Sequence, residues 1–249
     1  MTAERSETAS RRLPRRDERS EANDGRRKTE DSAARRGERS DANDAVGGEF
    51  DRLGGHGKIR GMLAAVLEKQ IISEQEYLDG EEFSEVPHEY LNGVVYAMAG
   101  GTREHAAICL NITAALHGQL RGKPCRPYSD AMRLRIERGD DLRYYYPDAM
   151  VVCEKSASAI WEDSPVVIFE VLSEGTERVD REEKRDAYFG IPSLRSYVLV
   201  DSRRLEVTLF RREEGGSWTA QNLGKTEARL ALPDIGCELA LADIYEGVL

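Results

Sequence analysis

At 249 residues the chain is long enough for one large domain or two small ones, and its composition divides it sharply. Residues 1–58 hold almost no large apolar side chains and carry 14 Lys+Arg against 13 Asp+Glu; of the chain totals of 36 and 46, this leaves 22 basic and 33 acidic residues for the remainder. That balance of −11 speaks against a tight, non-specific nucleic-acid binder, which presents a basic surface, although a local patch can override the mean.

In the first 58 residues, Arg15-Arg16-Asp17-Glu18-Arg19-Ser20-Glu21-Ala22-Asn23-Asp24 returns imperfectly as Arg35-Arg36-Gly37-Glu38-Arg39-Ser40-Asp41-Ala42-Asn43-Asp44, an offset of 20 residues. The unit has no apolar face to stack, so it is not a solenoid repeat. It cannot bury enough area to offset its ordering entropy, and residues 1–58 are expected to be a disordered, solvated tail. Met62 offers an alternative start. Residues 59–249 have the composition of a globular domain, ample for one core. No secretory apolar segment opens the chain and no apolar run reaches spanning length, so a cytoplasmic protein with no membrane partner is expected. Cys109, Cys125, Cys153 and Cys237 have no CxxC spacing; Cys109, in a helical pattern, and Cys153, ending an apolar run, read as small core residues, and reduced thiols are expected.

Along the domain, Ser73 with Glu76 three residues on is a capping box opening a short helix. Asn92-Gly93 between β-prone segments predicts a hairpin. Thr102 caps a helix to about Arg121, with Ile108, Ile112, Leu116 and Leu120 as its buried stripe and His105 and Cys109 beside that stripe. Strands follow over 131–137, over 144–153 and up to Leu172. A charged helix runs from Thr176 to Phe189, with Asp180, Lys184 and Tyr188 on one face. Ser196–Asp201 is a buried strand, Leu205–Arg211 an amphipathic one, and Gly215-Gly216 turns the chain into another over 217–223. The end, 233–249, reads as a strand or loop and a closing helical turn.

The chemistry lies in two carboxylates inside apolar, strand-like runs: Asp148 in Tyr144–Cys153 and Glu170 in Pro165–Leu172. Runs apolar on both faces belong to a covered sheet, where a lone carboxylate loses its water at high cost. Two of them call for a compensating cation, and a hard divalent ion bound by oxygens is the obvious candidate. If the strands are neighbours, Asp148 and Glu170 can reach one Mg²⁺ (or Mn²⁺), which keeps several waters and takes one or two protein carboxylates. The bland reading of Glu170 is a buried ion pair with Arg or Lys. For Lys184 it is a surface salt bridge to Asp180, for Glu89 a solvated hairpin-edge acid, and for His105 a neutral, satisfied core imidazole. No phosphate-binding loop, nucleotide fingerprint or nucleophile elbow is present.

The ordered set of segments resembles the Uma2 family. It comprises Glu76-Tyr77-Leu78; Glu89-Tyr90-Leu91-Asn92-Gly93-Val94-Val95-Tyr96-Ala97-Met98-Ala99-Gly100; His105; Tyr146-Pro147-Asp148-Ala149-Met150-Val151-Val152; Phe169-Glu170-Val171-Leu172-Ser173; Asp180–Tyr188; and Gly190–Asp201. Each piece is unspecific alone; together, in order over about 71–245, they are specific. The resemblance implies an α/β fold of the restriction-endonuclease-like PD-(D/E)XK type, a mixed central sheet flanked by helices. Pro147-Asp148 would be its first element, Glu170 the second acid and Glu89 the N-terminal acid. The usual lysine position, two residues after the second acid, is Leu172 here, and Lys184 is the best substitute. The implied activity is a Mg²⁺-dependent endonuclease cutting DNA phosphodiesters, with Asp148 and Glu170 as metal ligands and Lys184, Glu89 and His105 completing or bordering the site. DNA is the expected substrate, and a homodimer is a conceivable assembly. The alternative is a non-catalytic module of the same fold that binds DNA or a protein partner, to which the acidic domain and Leu172 point.

Overall fold

The computed structural model describes residues 71–98 and 100–249. The tail, its repeat and Met62 lie outside the described residues. Helix α1 (Glu74–Phe83) opens on the expected capping box: the Ser73 hydroxyl accepts from the Glu76 amide, and the Glu76 carboxylate accepts from the Ser73 amide at 2.8 Å. Strands β1 (His88–Leu91) and β2 (Val94–Ala97) form the expected hairpin. Its two-residue turn has Asn92 at φ 49° and Gly93 at φ 90°, the pair of positive angles that matches strand twist and favours Asn-Gly. Helix α2 (Arg103–Leu120) is capped by Thr102 and buries Ile108, Ile112, Leu116 and Leu120.

Strands β3 (Arg126–Ser129), β4 (Arg133–Arg138), β5 (Asp141–Tyr145) and β6 (Ala149–Val152) follow. Residues 144–153 are therefore not one strand. The chain leaves β5 at Tyr145, passes Tyr146-Pro147-Asp148 and enters β6 in a different sheet. Proline, lacking an amide, cannot extend a central ladder, and the strand breaks there. Two-residue β7 (Trp161–Glu162) precedes β8 (Pro165–Leu172). The expected charged helix is a single run in three parts: α3 (Glu177–Val179), a π segment (Asp180–Lys184) and α4 (Arg185–Phe189). Then come β9 (Ser196–Asp201), β10 (Val207–Arg212), β11 (Trp218–Leu223), β12 (Arg229–Leu232), a 3₁₀ turn, β13 (Cys237–Ala240) and α5 (Leu241–Ile244).

The expected mixed α/β architecture with flanking helices is present, its strands divided between two principal sheets and a small one, in the orders β2-β1-β5-β4-β7, β11-β10-β9-β8-β6-β3 and β12-β13. Both large sheets are mixed, β4 with β7 and β8 with β9 being parallel pairs. One face of the six-stranded sheet, with Val167, Phe169 and Val171 of β8, packs on α2, β12, β13 and α5. Its other face, with Met150, Ile168 and Leu172, packs on α4 and on Leu134, Ile136 and Tyr145 of the five-stranded sheet. A smaller cluster of Tyr77, Tyr90 and Tyr144 docks α1.

The cysteines depart from the all-reduced expectation. Cys125 and Cys153 are joined by a disulfide, while Cys109 and Cys237 are free. The antiparallel register pairs Arg126 with Val152, so the next residues out, 28 apart in sequence, face each other across the strands. Only that pairing makes them neighbours. Among the described residues no helix is long and apolar enough to cross a membrane.

Candidate active site

Period-two alternation along β8 turns Glu170 to the face of Ile168 and Leu172, beneath the π segment. Strand β6 runs antiparallel to β8 with Ala149 opposite Phe169, so Asp148, one step before β6, falls opposite Glu170. The break at Pro147 thus delivers Asp148 to the end of the ladder. One carboxylate oxygen there accepts from the Val171 amide at 2.6 Å and the other faces His105 Nε2 at 3.3 Å. Helix α2 supplies His105, and Gly101 makes room for it: a Cβ on Gly101 would stand 2.8 Å from His105 Nδ1.

Lys184 reaches Glu170 from above. Its ammonium lies 3.1 Å from Glu89, 3.3 Å from Glu170 and 3.4 Å from Asp180. Glu170 and Asp180 are each 2% exposed and Lys184 7%. The surface salt bridge of the bland reading for Asp180 and Lys184 is therefore a buried pair, shared with two further acids. The π turn keeps residues four apart on one face while shifting the helix register, and such insertions recur at functional sites. Tyr188, one turn on, donates to the same Glu170 oxygen at 2.7 Å, and the Tyr197 hydroxyl donates to the Asp180 carbonyl at 2.9 Å. Leu172, where the resemblance would put a lysine, is wholly buried among apolar neighbours.

The structure thus gathers Glu89, Glu170 and Lys184 directly and links Asp148 to His105. Glu89 is not a solvated hairpin-edge acid: it lies on β1 with its carboxylate on the buried ammonium. Asp180, treated from sequence as a surface partner, and the hydroxyl of Tyr188 are members that periodicity alone did not identify as buried. Their signal was the i, i+4, i+8 spacing with Lys184.

Burial pushes Glu170 well above the usual carboxylate range; Lys184 pulls it back, while Asp180 and Asp148 push it further up. Burial likewise raises Asp180, against the pull of Lys184. Burial alone would lower Lys184, but Glu170, Glu89 and Asp180 outweigh it and the ammonium holds its proton well past its ordinary value. The hydrogen bond to Asp148 raises His105 despite partial burial.

The compensating cation inferred from sequence is, in the first instance, Lys184. It does not balance the site. Glu89, Asp148, Glu170 and Asp180, if ionised, carry −4 against +1, or +2 with His105 protonated, leaving −3 or −2. The surplus lies on oxygen donors, two in neighbouring strands, and burial penalises it. An oxygen-ligated divalent cation fits both the charge and the donor chemistry. Asp148 and Glu170 are the residues that would hold it.

The chain is 33% identical over 181 residues to an uncharacterized Synechocystis protein, covering 71% of this chain and 93% of that one. A second uncharacterized Synechocystis protein is 27% identical over 165 residues, covering 65% and 92%. Among solved structures, a protein from Anabaena variabilis, described as a "putative nuclease belonging to DUF820", superposes with a TM-score of 0.55 at 16% identity. That match covers 67% of this chain and 93% of that one, and shows a shared fold. Residues 74–242 match Uma2, a family described as "putative restriction endonuclease", and the chain belongs to that family.

Proposed function

We propose that the protein is a divalent-metal-dependent endonuclease that hydrolyses DNA phosphodiester bonds. The observation that carries this reading is the ammonium of Lys184, held 3.1–3.4 Å from Glu89, Glu170 and Asp180, with Asp148 one residue before the adjoining strand β6, level with Glu170. A nuclease of this type needs two acids and a lysine around one reacting phosphate, and here the lysine comes from the helix instead of from position 172.

In this reading Asp148 and Glu170 hold Mg²⁺ or Mn²⁺. Such an ion, when bound, polarises a phosphoryl oxygen and acidifies a water. Lys184 places a fixed positive charge where negative charge builds on the phosphate, in a site already stripped of water, so it needs no reorganisation during reaction. Glu89 and Asp180 aim that ammonium, and Tyr188 orients the Glu170 carboxylate through one of its oxygens. His105 holds one oxygen of Asp148 and the Val171 amide holds the other, fixing the rotamer of that acid. A single centre nicks one strand; a homodimer would supply two centres for a double-strand cut.

The test is nicking of supercoiled plasmid by the full chain with Mg²⁺, with Mn²⁺ and with EDTA, beside Asp148→Ala. Ion-dependent nicking that Asp148→Ala abolishes is the expected result. No cleavage of supercoiled, linear or single-stranded DNA with either ion, or equal cleavage by Asp148→Ala, would overturn the assignment.

A further inference from the structure

One side chain beside the site, Cys109, is left unused by the proposed hydrolysis. Cys109 follows His105 by four residues on α2, so thiol and imidazole share one helix face. Cys109 Sγ lies 3.5 Å from His105 Nδ1, and His105 Nε2 lies 3.3 Å from Asp148 Oδ1. One donor atom from each of the three side chains can be chosen so that all lie within 4.8 Å of one another. All three residues are partly accessible, and Gly101 leaves room for the imidazole. Cys109 is free, whereas Cys125 and Cys153 are spent in the disulfide.

We propose that His105, Cys109 and Asp148 form a second cation site, for a thiophilic divalent ion of the Zn²⁺ class. The donor set discriminates between ions. Mg²⁺ takes oxygen and has no use for a thiolate, whereas Zn²⁺ takes thiolate, imidazole and carboxylate together. Bond lengths of about 2.3 Å to sulfur and about 2.0–2.2 Å to nitrogen and oxygen put tetrahedral donors about 3.4–3.6 Å apart. From the 4.8 Å limit the three side chains need to draw in by at most about 1.2–1.4 Å. Two ligands at i and i+4 on a helix with a third from another segment is an arrangement zinc sites use, and three protein ligands leave a fourth position for water. Burial first, and then the nearby Asp148, Asp130 and Glu170, push the Cys109 thiol well above its ordinary range, so an ion binding there must displace a firmly held proton; the same negative surroundings attract a cation. On binding, the thiol proton leaves to solvent as the sulfur–metal bond forms.

The inference shares Asp148 with the proposed nuclease centre but does not depend on that reading.

The experiment is Co²⁺ titration of metal-stripped, full-length protein, followed in the near-ultraviolet for thiolate-to-cobalt charge transfer, with Zn²⁺ then added to displace Co²⁺. The unaltered protein should show one thiolate-bound Co²⁺ per chain. Cys109→Ala and Cys109→Ser should lose the band and weaken binding by at least about tenfold, with folding checked by circular dichroism. Cys237→Ala, which removes the other free thiol, should keep it. Absence of the band in unaltered protein, its persistence in both Cys109 variants, or its loss in Cys237→Ala alone would overturn the proposal. A protein that nicks plasmid without the band loses this inference and keeps the nuclease reading; a protein with the band and no nicking does the reverse.

Discussion

Lys184→Met tests the centre of the structure directly. The substitution keeps an unbranched stem of similar length and removes only the ammonium. Three carboxylates stand 3.1–3.4 Å from that ammonium, and at an effective dielectric of about 20 each contact is worth roughly 5 kcal/mol of attraction. The gross sum is not the loss, because removing the ammonium also removes its own desolvation cost. What remains is two acids, Glu170 and Asp180, each 2% exposed and now without their cation. Breaking a buried pair by deleting one partner costs about 3–5 kcal/mol, and we expect that loss at pH 8.5 in EDTA. The loss must shrink as the pH falls. Burial raises both acids above their ordinary 4.5 and 3.8 even against the pull of Lys184, and removing the ammonium leaves that rise unopposed. The folded state then binds more protons than the unfolded one, and stability of the variant rises as pH drops through those raised values. Urea denaturation at pH 5.5 and 8.5 reads this out. Adding Glu170→Gln to Lys184→Met should restore part of the loss, a coupling of about 1–3 kcal/mol. A loss under about 1 kcal/mol at pH 8.5, or one that does not change with pH, would show that the ammonium is not what holds these acids.

Four further outcomes are expected. Glu170→Gln keeps an oxygen to accept from Tyr188 and should leave stability within about 1.5 kcal/mol, yet nicking should fall by about 10²-fold or more; full activity in this variant would remove Glu170 from the chemistry. His105 has a folded pKa raised above its ordinary 6.5, so its stabilising bond to Asp148 is fully present below about pH 6.5 and fades as pH rises through the folded value. Comparing unaltered protein with His105→Gln by thermal melts at pH 5.5 and 9 in EDTA should give the larger gap at pH 5.5, and an equal or reversed gap refutes the ion pair. Gly93→Ala should cost more than about 1 kcal/mol, since φ is 90° and the new Cβ would meet Ile71 Cγ2 at 2.3 Å, whereas Gly80→Ala in α1, with open space, should stabilise by about 0.5–1 kcal/mol; melts of the two variants in opposite directions are the check. Breaking the Cys125–Cys153 bridge, which spans 28 residues, should lower stability by about 3 kcal/mol through the freed entropy of the unfolded chain, and denaturation curves that coincide with and without dithiothreitol would mean that the thiols are reduced in solution.

Local chemistry was legible in the sequence wherever neighbours along the chain decide the outcome. The capping box at Ser73, the Asn92-Gly93 turn and the Ile108–Leu120 stripe each rest on contacts within a few residues, and each stands where spacing placed it. The ordered motifs also carried the family. Long-range pairing was not legible. Period-two alternation could not say that residues 144–153 serve two sheets, because Tyr144 and Met150 are both wholly buried and differ only in what covers them. Nor could spacing say that Cys125 would meet Cys153, a matter of register between β3 and β6. The charged face of Asp180 and Lys184 read as solvated because surface helices carry such pairs. Tertiary packing of the π segment over β8 removed the water, and desolvation turned an ordinary i, i+4 pair into the electrostatic centre of the molecule.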